Sequence, residues 1–156
     1  AAGCSAHLAD YRWDGHEPET LDITVAVARA IEDGRLPRSE GDRGPIAIQD
    51  PCHLRHAQRV VAEPRAVLAA AGYVVVETDP VALCCGAAGM YTIHQPEASS
   101  RLGSQKADQV RRTGLSKVAS ANPGCEMQLR SHLEPSYDIR HPIEWYLDAL
   151  TADSRD

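Results

Sequence analysis

Pro45-Ile46-Ala47-Ile48-Gln49-Asp50-Pro51-Cys52 is a short apolar run that closes on a proline and a cysteine. A run of this length bounded by a turn signal reads as a buried strand. Residues 117–121 repeat the arrangement and lead through Asn122-Pro123-Gly124 to Cys125. Between the two, Tyr73-Val74-Val75-Val76 is a third strand candidate, rich in β-branched residues. The connection that follows it, residues 80–89, carries Cys84-Cys85-Gly86. Helical stretches separate the strands. Residues 64–71 are Ala-rich and stop at Gly72, and a long segment opens at Pro96, runs to about Arg112 and stops at Gly114. Residues 126–133 and 142–150 read as two further helices. The alternation predicts an α/β fold, a small parallel sheet flanked by helices. In such a sheet the loops at the carboxyl ends of the strands gather on one edge. Cys52, Cys84, Cys85 and Cys125 are therefore expected to converge there.

Upstream, Leu21, Val25, Ala28 and Ile31 have helical spacing, and His16-Glu17-Pro18-Glu19-Thr20 before them suits a helix start. Residues 34–44 are polar and rich in Gly, Arg and Ser, the composition of a surface linker. The chain thus divides into residues 1–11, a helix and linker over 12–44, a complete unit over 45–150 and a frayed acidic tail at 151–156. Gly3-Cys4-Ser5-Ala6-His7-Leu8 resembles Gly124-Cys125-Glu126-Met127-Gln128-Leu129. On that likeness residues 1–11 are expected to be the end of an earlier repeat, and Cys4 an orphan thiol at a loose terminus.

The chain's 156 residues suffice for one domain with a real core, and 43% hydrophobic residues is normal for a globular protein. There is no Phe, so Ala, Val, Leu and Ile must build that core. A formal net charge of −6 argues against a nucleic-acid surface. No apolar run is long enough to cross a bilayer, and no basic-then-apolar leader precedes the fold. Five cysteines, an odd number without dense regular spacing, fit metal-bound thiolates in a reducing cytoplasm better than a disulfide framework.

Adjacent cysteines close a strained eight-membered ring when they pair with each other. They are better suited to presenting two thiolates to one centre. Four sulfurs from three loops read as an iron–sulfur or zinc site. Gly86, Gly89 and Gly124 would let backbone amides approach sulfur, and helix N-termini near Cys52 and Cys125 would add positive partial charge. His53, His56 and His94 lie near the cysteines in sequence. His53 suits a hydrogen bond close to the site, whereas His56 reads as a satisfied polar group. His141 is expected to fix the last turn, and Tyr91 and Gln95 to serve packing and loop bonding. A thiol redox enzyme using the vicinal pair ranks last, since the Cys-x-x-Cys helix start of such enzymes is lacking.

Cys52 in Asp50-Pro51-Cys52-His53-Leu54, then Cys84-Cys85-Gly86, then Cys125 together resemble the cysteine-rich CCG domain family. Residues 50–58, 83–97, 121–129 and 141–150 look most like the C-terminal part of glycolate oxidase iron–sulfur subunits. The resemblance implies that residues 1–11 end a first CCG repeat and that 45–150 form the second. It implies an electron-transfer subunit of a glycolate dehydrogenase or oxidase, with no catalytic residue and no activity of its own. An iron–sulfur cluster of the 4Fe–4S type would sit on Cys52, Cys84, Cys85 and Cys125, with Cys4 the last ligand of the earlier repeat. FAD would reside on partner glycolate oxidase subunits. The location would be cytoplasmic, with peripheral association at the inner face of the cell membrane through the complex. Heterodisulfide reductase relatives close the motif with Cys-x-x-Cys. Gln128 stands at the second position here, so one thiolate is lost and their five-cysteine cluster does not carry over. A zinc-bound or metal-free docking module of the same complex is the alternative.

Overall fold

The computed structural model describes residues 2–15 and 19–155. Four strands form one parallel sheet: β1 (Gly44–Gln49), β2 (Tyr73–Glu77), β3 (Lys117–Ser120) and β4 (Asp138–Arg140), in the spatial order β2-β1-β3-β4. Ile46 pairs with Val75, Ile48 with Ala119, and Val118 with Ile139. The α/β class with a small parallel sheet is as expected from the sequence. β4 is an addition. At three residues, it is too short for any periodicity to mark it.

Because strand side chains alternate, the sheet buries both faces. Ile46, Ile48 and Ala119 point to one side, where Val67 and Leu68 of α3 (Ala62–Ala70) and Trp145, Tyr146 and Ala149 of α7 (Pro142–Asp153) cover them. Ala47, Val118 and Ile139 point to the other side, under Ala107 and Val110 of α5 (Pro96–Arg112) and Leu129 of α6 (Pro123–His132). The aromatic residues supply polar anchors as well as area. Trp145 Nε1 donates to the Val118 carbonyl at 3.1 Å and stacks edge-on against Tyr73 at 5.6 Å.

Several boundaries differ from the sequence reading. α2 (Ile23–Glu32) begins at Ile23, because the Asp22 carboxylate caps it by accepting from Thr24 N at 2.9 Å. Leu21 lies outside the helix, and His16, Glu17 and Pro18 of the expected helix start lie outside the described residues. The frayed tail is shorter than expected, since α7 continues to Asp153. That carboxylate accepts from Ser39 Oγ at 2.7 Å and pairs with Arg43, tying the helix end to the 34–44 linker. Asp156 is not among the described residues. Finally, residues 2–9 form helix α1 (Ala2–Ala9) where a loose terminus is expected. Ser5 Oγ accepts from Gln58 Nε2 at 2.9 Å, which docks the helix on the segment after β1.

Candidate metal centre

The chain leaves β1, crosses to β2 on one side, and returns to β3 on the other. The gap beyond the carboxyl ends of β1 and β3 is thus a topological switch point, where open α/β sheets bind ligands. All three cysteine loops reach that edge.

Cys52 comes first, at the start of a single π-helical turn, His53–Ala57. Asp50, buried just ahead of it, accepts from Arg55 at 2.8 Å and Arg65 at 2.9 Å, which fixes the exit from β1. Arg55 also donates to the Pro80 carbonyl at 2.8 Å, and His56 Nε2 lies 3.1 Å from the Val81 carbonyl. The π turn is thereby clamped to the loop that carries Cys84 and Cys85. His53 and His56 serve different neighbours across this turn: His53 Nδ1 stands 3.6 Å from Cys52 Sγ.

The Cys84-Cys85 loop is organised by Asp79. Its carboxylate accepts from Val81 N at 3.0 Å and Leu83 N at 2.7 Å, an Asx-type turn extended by one more bond. Between those two residues, buried Ala82 is held at φ 48°, a left-handed conformation uncommon outside glycine. Gly86 follows at φ 87°, where an added Cβ would stand 2.6 Å from the Ser99 carbonyl oxygen. Its N–H donates to Cys84 Sγ at 3.3 Å, and its carbonyl accepts from Ser99 Oγ at 3.0 Å. The Gly89 N–H is spent on the Ala87 carbonyl at 3.0 Å. Gly124 packs close to the Asn122 side chain and Ala87. Gln128 Nε2 donates to the Ser99 carbonyl at 3.1 Å, one bond away from the loop.

Cys125 is buried in the first turn of α6, behind Asn122 and Pro123. Its Sγ lies 2.9 Å from Cys85 Sγ, forty residues away in sequence, and Asn122 Nδ2 donates to it at 3.4 Å. Cys84 stands beside Cys52. The four thiols therefore stand as two pairs on one edge, Cys85 with Cys125 inside and Cys52 with Cys84 in the half-exposed rim. Among the described residues no three Cys, His, Asp or Glu side chains stand ready in metal-binding geometry. Holding an ion or cluster requires the pairs to part around it.

The electrostatics of the two pairs differ. The hydrogen bond shared with Cys125 pulls the Cys85 thiol down to about 6, against the effect of burial, with help from the Ala87 N–H and the Lys106 ammonium. The same hydrogen bond pushes Cys125 strongly up, and burial pushes it further. Burial, and then the charge of Cys84, push Cys52 up. Soft metals bind the thiolate form of cysteine, and Cys85 is the member of the inner pair pulled toward that form. Cys4 is exposed in α1 and has none of these neighbours among its described contacts. The other residues singled out from sequence lie at the margin. Tyr91 and His94 are exposed in the short helix α4 (Tyr91–His94), Gln95 opens α5, and His141 caps α7 with a box closed by Glu144.

Sequence reasoning missed Asp79 and Lys106. Lys106 is 1% exposed, and its Nζ lies 2.6 Å from Asp79 Oδ2. A signal was present: Ser99, Gly103, Lys106, Ala107 and Val110 fall on one face of α5, and that face is buried.

The chain also matches known proteins. The cysteine-rich domain (CCG) family model matches residues 46–130, more than half of the chain, and the chain belongs to that family. It is 34% identical over 135 residues to a fumarate reductase (CoM/CoB) subunit of Methanothermobacter marburgensis, covering 85% of this chain and 27% of that protein. It is 27% identical over 160 residues to the glycolate oxidase iron-sulfur subunit of Escherichia coli, covering 96% of this chain and 39% of that protein. A probable glycolate oxidase iron-sulfur subunit of Bacillus subtilis is 30% identical over 146 residues, with 86% and 33% covered. The chain thus spans well under half the length of each of these relatives. Among its described residues no helix is long and apolar enough to cross a membrane.

Proposed function

We propose that this chain is an iron–sulfur electron-transfer module in which Cys52, Cys84, Cys85 and Cys125 hold one cluster. The observation that carries the reading is the meeting of Cys85 and Cys125 at 2.9 Å, with Cys52 against Cys84 beside them. Four thiols from the three segments that follow β1, β2 and β3, at a switch point, are a donor set for iron–sulfur chemistry. When bound, the cluster supplies one-electron storage and transfer. The chain's own part is to present the sulfurs, exclude water from the inner pair and surround them with donors. Gly86 N, Asn122 Nδ2 and the first turn of α6 supply such donors and partial positive charge.

In the finer reading the partner is an FAD-containing subunit that oxidises glycolate or a related 2-hydroxy acid, and a 4Fe–4S cluster here passes its electrons on. The glycolate oxidase iron-sulfur subunits among the relatives support that choice. The complex would act on the cytoplasmic side, with any membrane contact made through other subunits.

A zinc-bound docking module is the second reading, favoured by the short approach of Cys85 and Cys125 at 2.9 Å. Four thiolates about 2.3 Å from a tetrahedral ion stand only about 3.8 Å apart. Iron, zinc and acid-labile sulfide measured on anaerobically purified protein decide between the two. The cluster reading expects iron and sulfide in comparable amounts with absorption near about 400 nm from sulfur-to-iron charge transfer. A colourless protein with stoichiometric zinc contradicts it.

A further inference from the structure

Cys85 and Cys125 come from distant parts of the chain, and one buried hydroxyl lies between the segments that carry them. Ser99, at the start of α5, is 4% exposed. Its Oγ donates to the Gly86 carbonyl, one residue past Cys85, at 3.0 Å. The same oxygen accepts from Gln128 Nε2 at 3.3 Å, and the Ser99 carbonyl accepts from that nitrogen at 3.1 Å. Gln128 follows Cys125 by about one turn of α6. A hydroxyl has one proton to give and lone pairs to receive, and Ser99 spends the first on one segment and the second on the other. Two glycines bring these partners within reach. At Gly86 an added Cβ would stand 2.6 Å from the Ser99 carbonyl oxygen. At Gly103, one turn further along α5, it would stand 2.7 Å from Gln128 Nε2 and run into the His132 ring.

We infer that Ser99 is a positioning residue: by joining the backbone just past Cys85 to the helix that carries Cys125, it sets the spacing at which these two sulfurs take a metal. The inference rests on the four-sulfur centre proposed above, whether that centre is a cluster or a single ion. Among the described residues no backbone hydrogen bond joins residues 80–89 to residues 121–133. The two segments meet directly at the sulfurs, at 2.9 Å, and a metal bonded to both sulfurs replaces that contact. The link through Ser99 does not involve the sulfurs and persists when they part. A buried polar group left without its partner costs free energy, so the hydroxyl holds Gly86 and Gln128 to it. Alanine, the better helix former, would fill the site without making either side-chain bond.

The test is an anaerobic cobalt(II) titration of the metal-free full chain, read by sulfur-to-cobalt charge-transfer absorption. Thermal unfolding of each metal-free variant is followed in parallel. S99A is expected to bind cobalt about tenfold more weakly, the loss typical of removing a group that orients a metal ligand. At saturation it is expected to absorb less per bound cobalt, because Cys85 and Cys125 no longer reach one ion together. V110A, which empties a core site further along α5, is expected to melt lower while keeping wild-type affinity and absorption. Q128L cuts the same link at a partly exposed position and gives the reading if S99A does not fold. Because one link is cut twice, S99A/Q128L is expected to lose less affinity than the two single losses combined. Wild-type affinity and absorption in S99A or Q128L overturn the inference, as do fully additive losses or a V110A loss as large as that of S99A. A wild-type chain that binds cobalt but takes up no iron and sulfide overturns the cluster reading alone. A wild-type chain that binds neither overturns both.

Discussion

Gly3-Cys4 and Gly124-Cys125 begin two helices in the same way. In each, the glycine is the second helical residue and the cysteine the third, and a leucine follows at the same offset, Leu8 in one and Leu129 in the other. The surroundings share nothing further. Cys125 faces the Cys84-Cys85 loop and is 3% exposed, whereas Cys4 is exposed. Leu129 is fully buried against β3 and α5, whereas Leu8 is 43% exposed. A Gly-Cys helix start is thus only half of a sulfur site. The other half is a loop from the neighbouring strand, bent by Asp79 and Ala82 so that Cys85 meets the helix end. α1 has no such loop among the described residues.

The sharpest way to break the comparison is to exchange the two sulfurs for oxygen. C125S is expected to abolish retention of iron after desalting, while C4S keeps the wild-type iron content. An equal loss in both would mean that Cys4 also serves the centre. Next in size is the leucine pair. L129A should cost about 2–5 kcal/mol in denaturant unfolding of the metal-free chain, as expected for emptying a filled core site. L8A should stay within about 0.5 kcal/mol of wild type.

A third prediction concerns the loop that distinguishes the two helices. Burial pushes the Asp79 carboxyl up, but the Lys106 ammonium and the N–H groups of Val81 and Leu83 outweigh it and hold it at about 2. The folded value lies below the ordinary 3.8, so the bound carboxylate contributes stability above about pH 4. That contribution, on the order of 2 kcal/mol, is lost as the pH falls from about 4 through about 2. Urea midpoints of wild type measured between pH 5 and pH 2 should fall more steeply than those of D79N/K106M; parallel curves would remove Asp79 from this role. The smallest effect is expected at the surface. Arg35 pairs with Asp33 at 2.9 Å with both side chains more than half exposed. R35A should therefore change stability by less than about 0.5 kcal/mol.

Much of this architecture was legible in the sequence, because three strands each lead through a turn to a cysteine. Apolar runs of four or five residues, separated by Gly- and Pro-bounded helices, leave little choice but a parallel sheet, and the sheet in turn dictates which loops share an edge. What escaped was set by contacts distant in the chain. β4 exists because Val118 and Ile139 pair across the sheet. The helical terminus depends on Gln58 reaching Ser5. The Lys106–Asp79 pair joins residues 27 positions apart. A charged residue on an otherwise small and apolar helix face was the visible trace of that pair. Its partner could not be named until the fold was known.

Differential thiol labelling of the iron-loaded chain, read residue by residue in a mass spectrometer, reaches the core of the account. With the centre in place, Cys4 alone should alkylate, and Cys52 and Cys84 should be protected despite their partial exposure. Chelating the iron should release Cys52 and Cys84 first, then Cys85 and Cys125. Labelling of Cys52 or Cys84 at the rate of Cys4 in fully loaded protein would contradict a single centre shared by the four sulfurs.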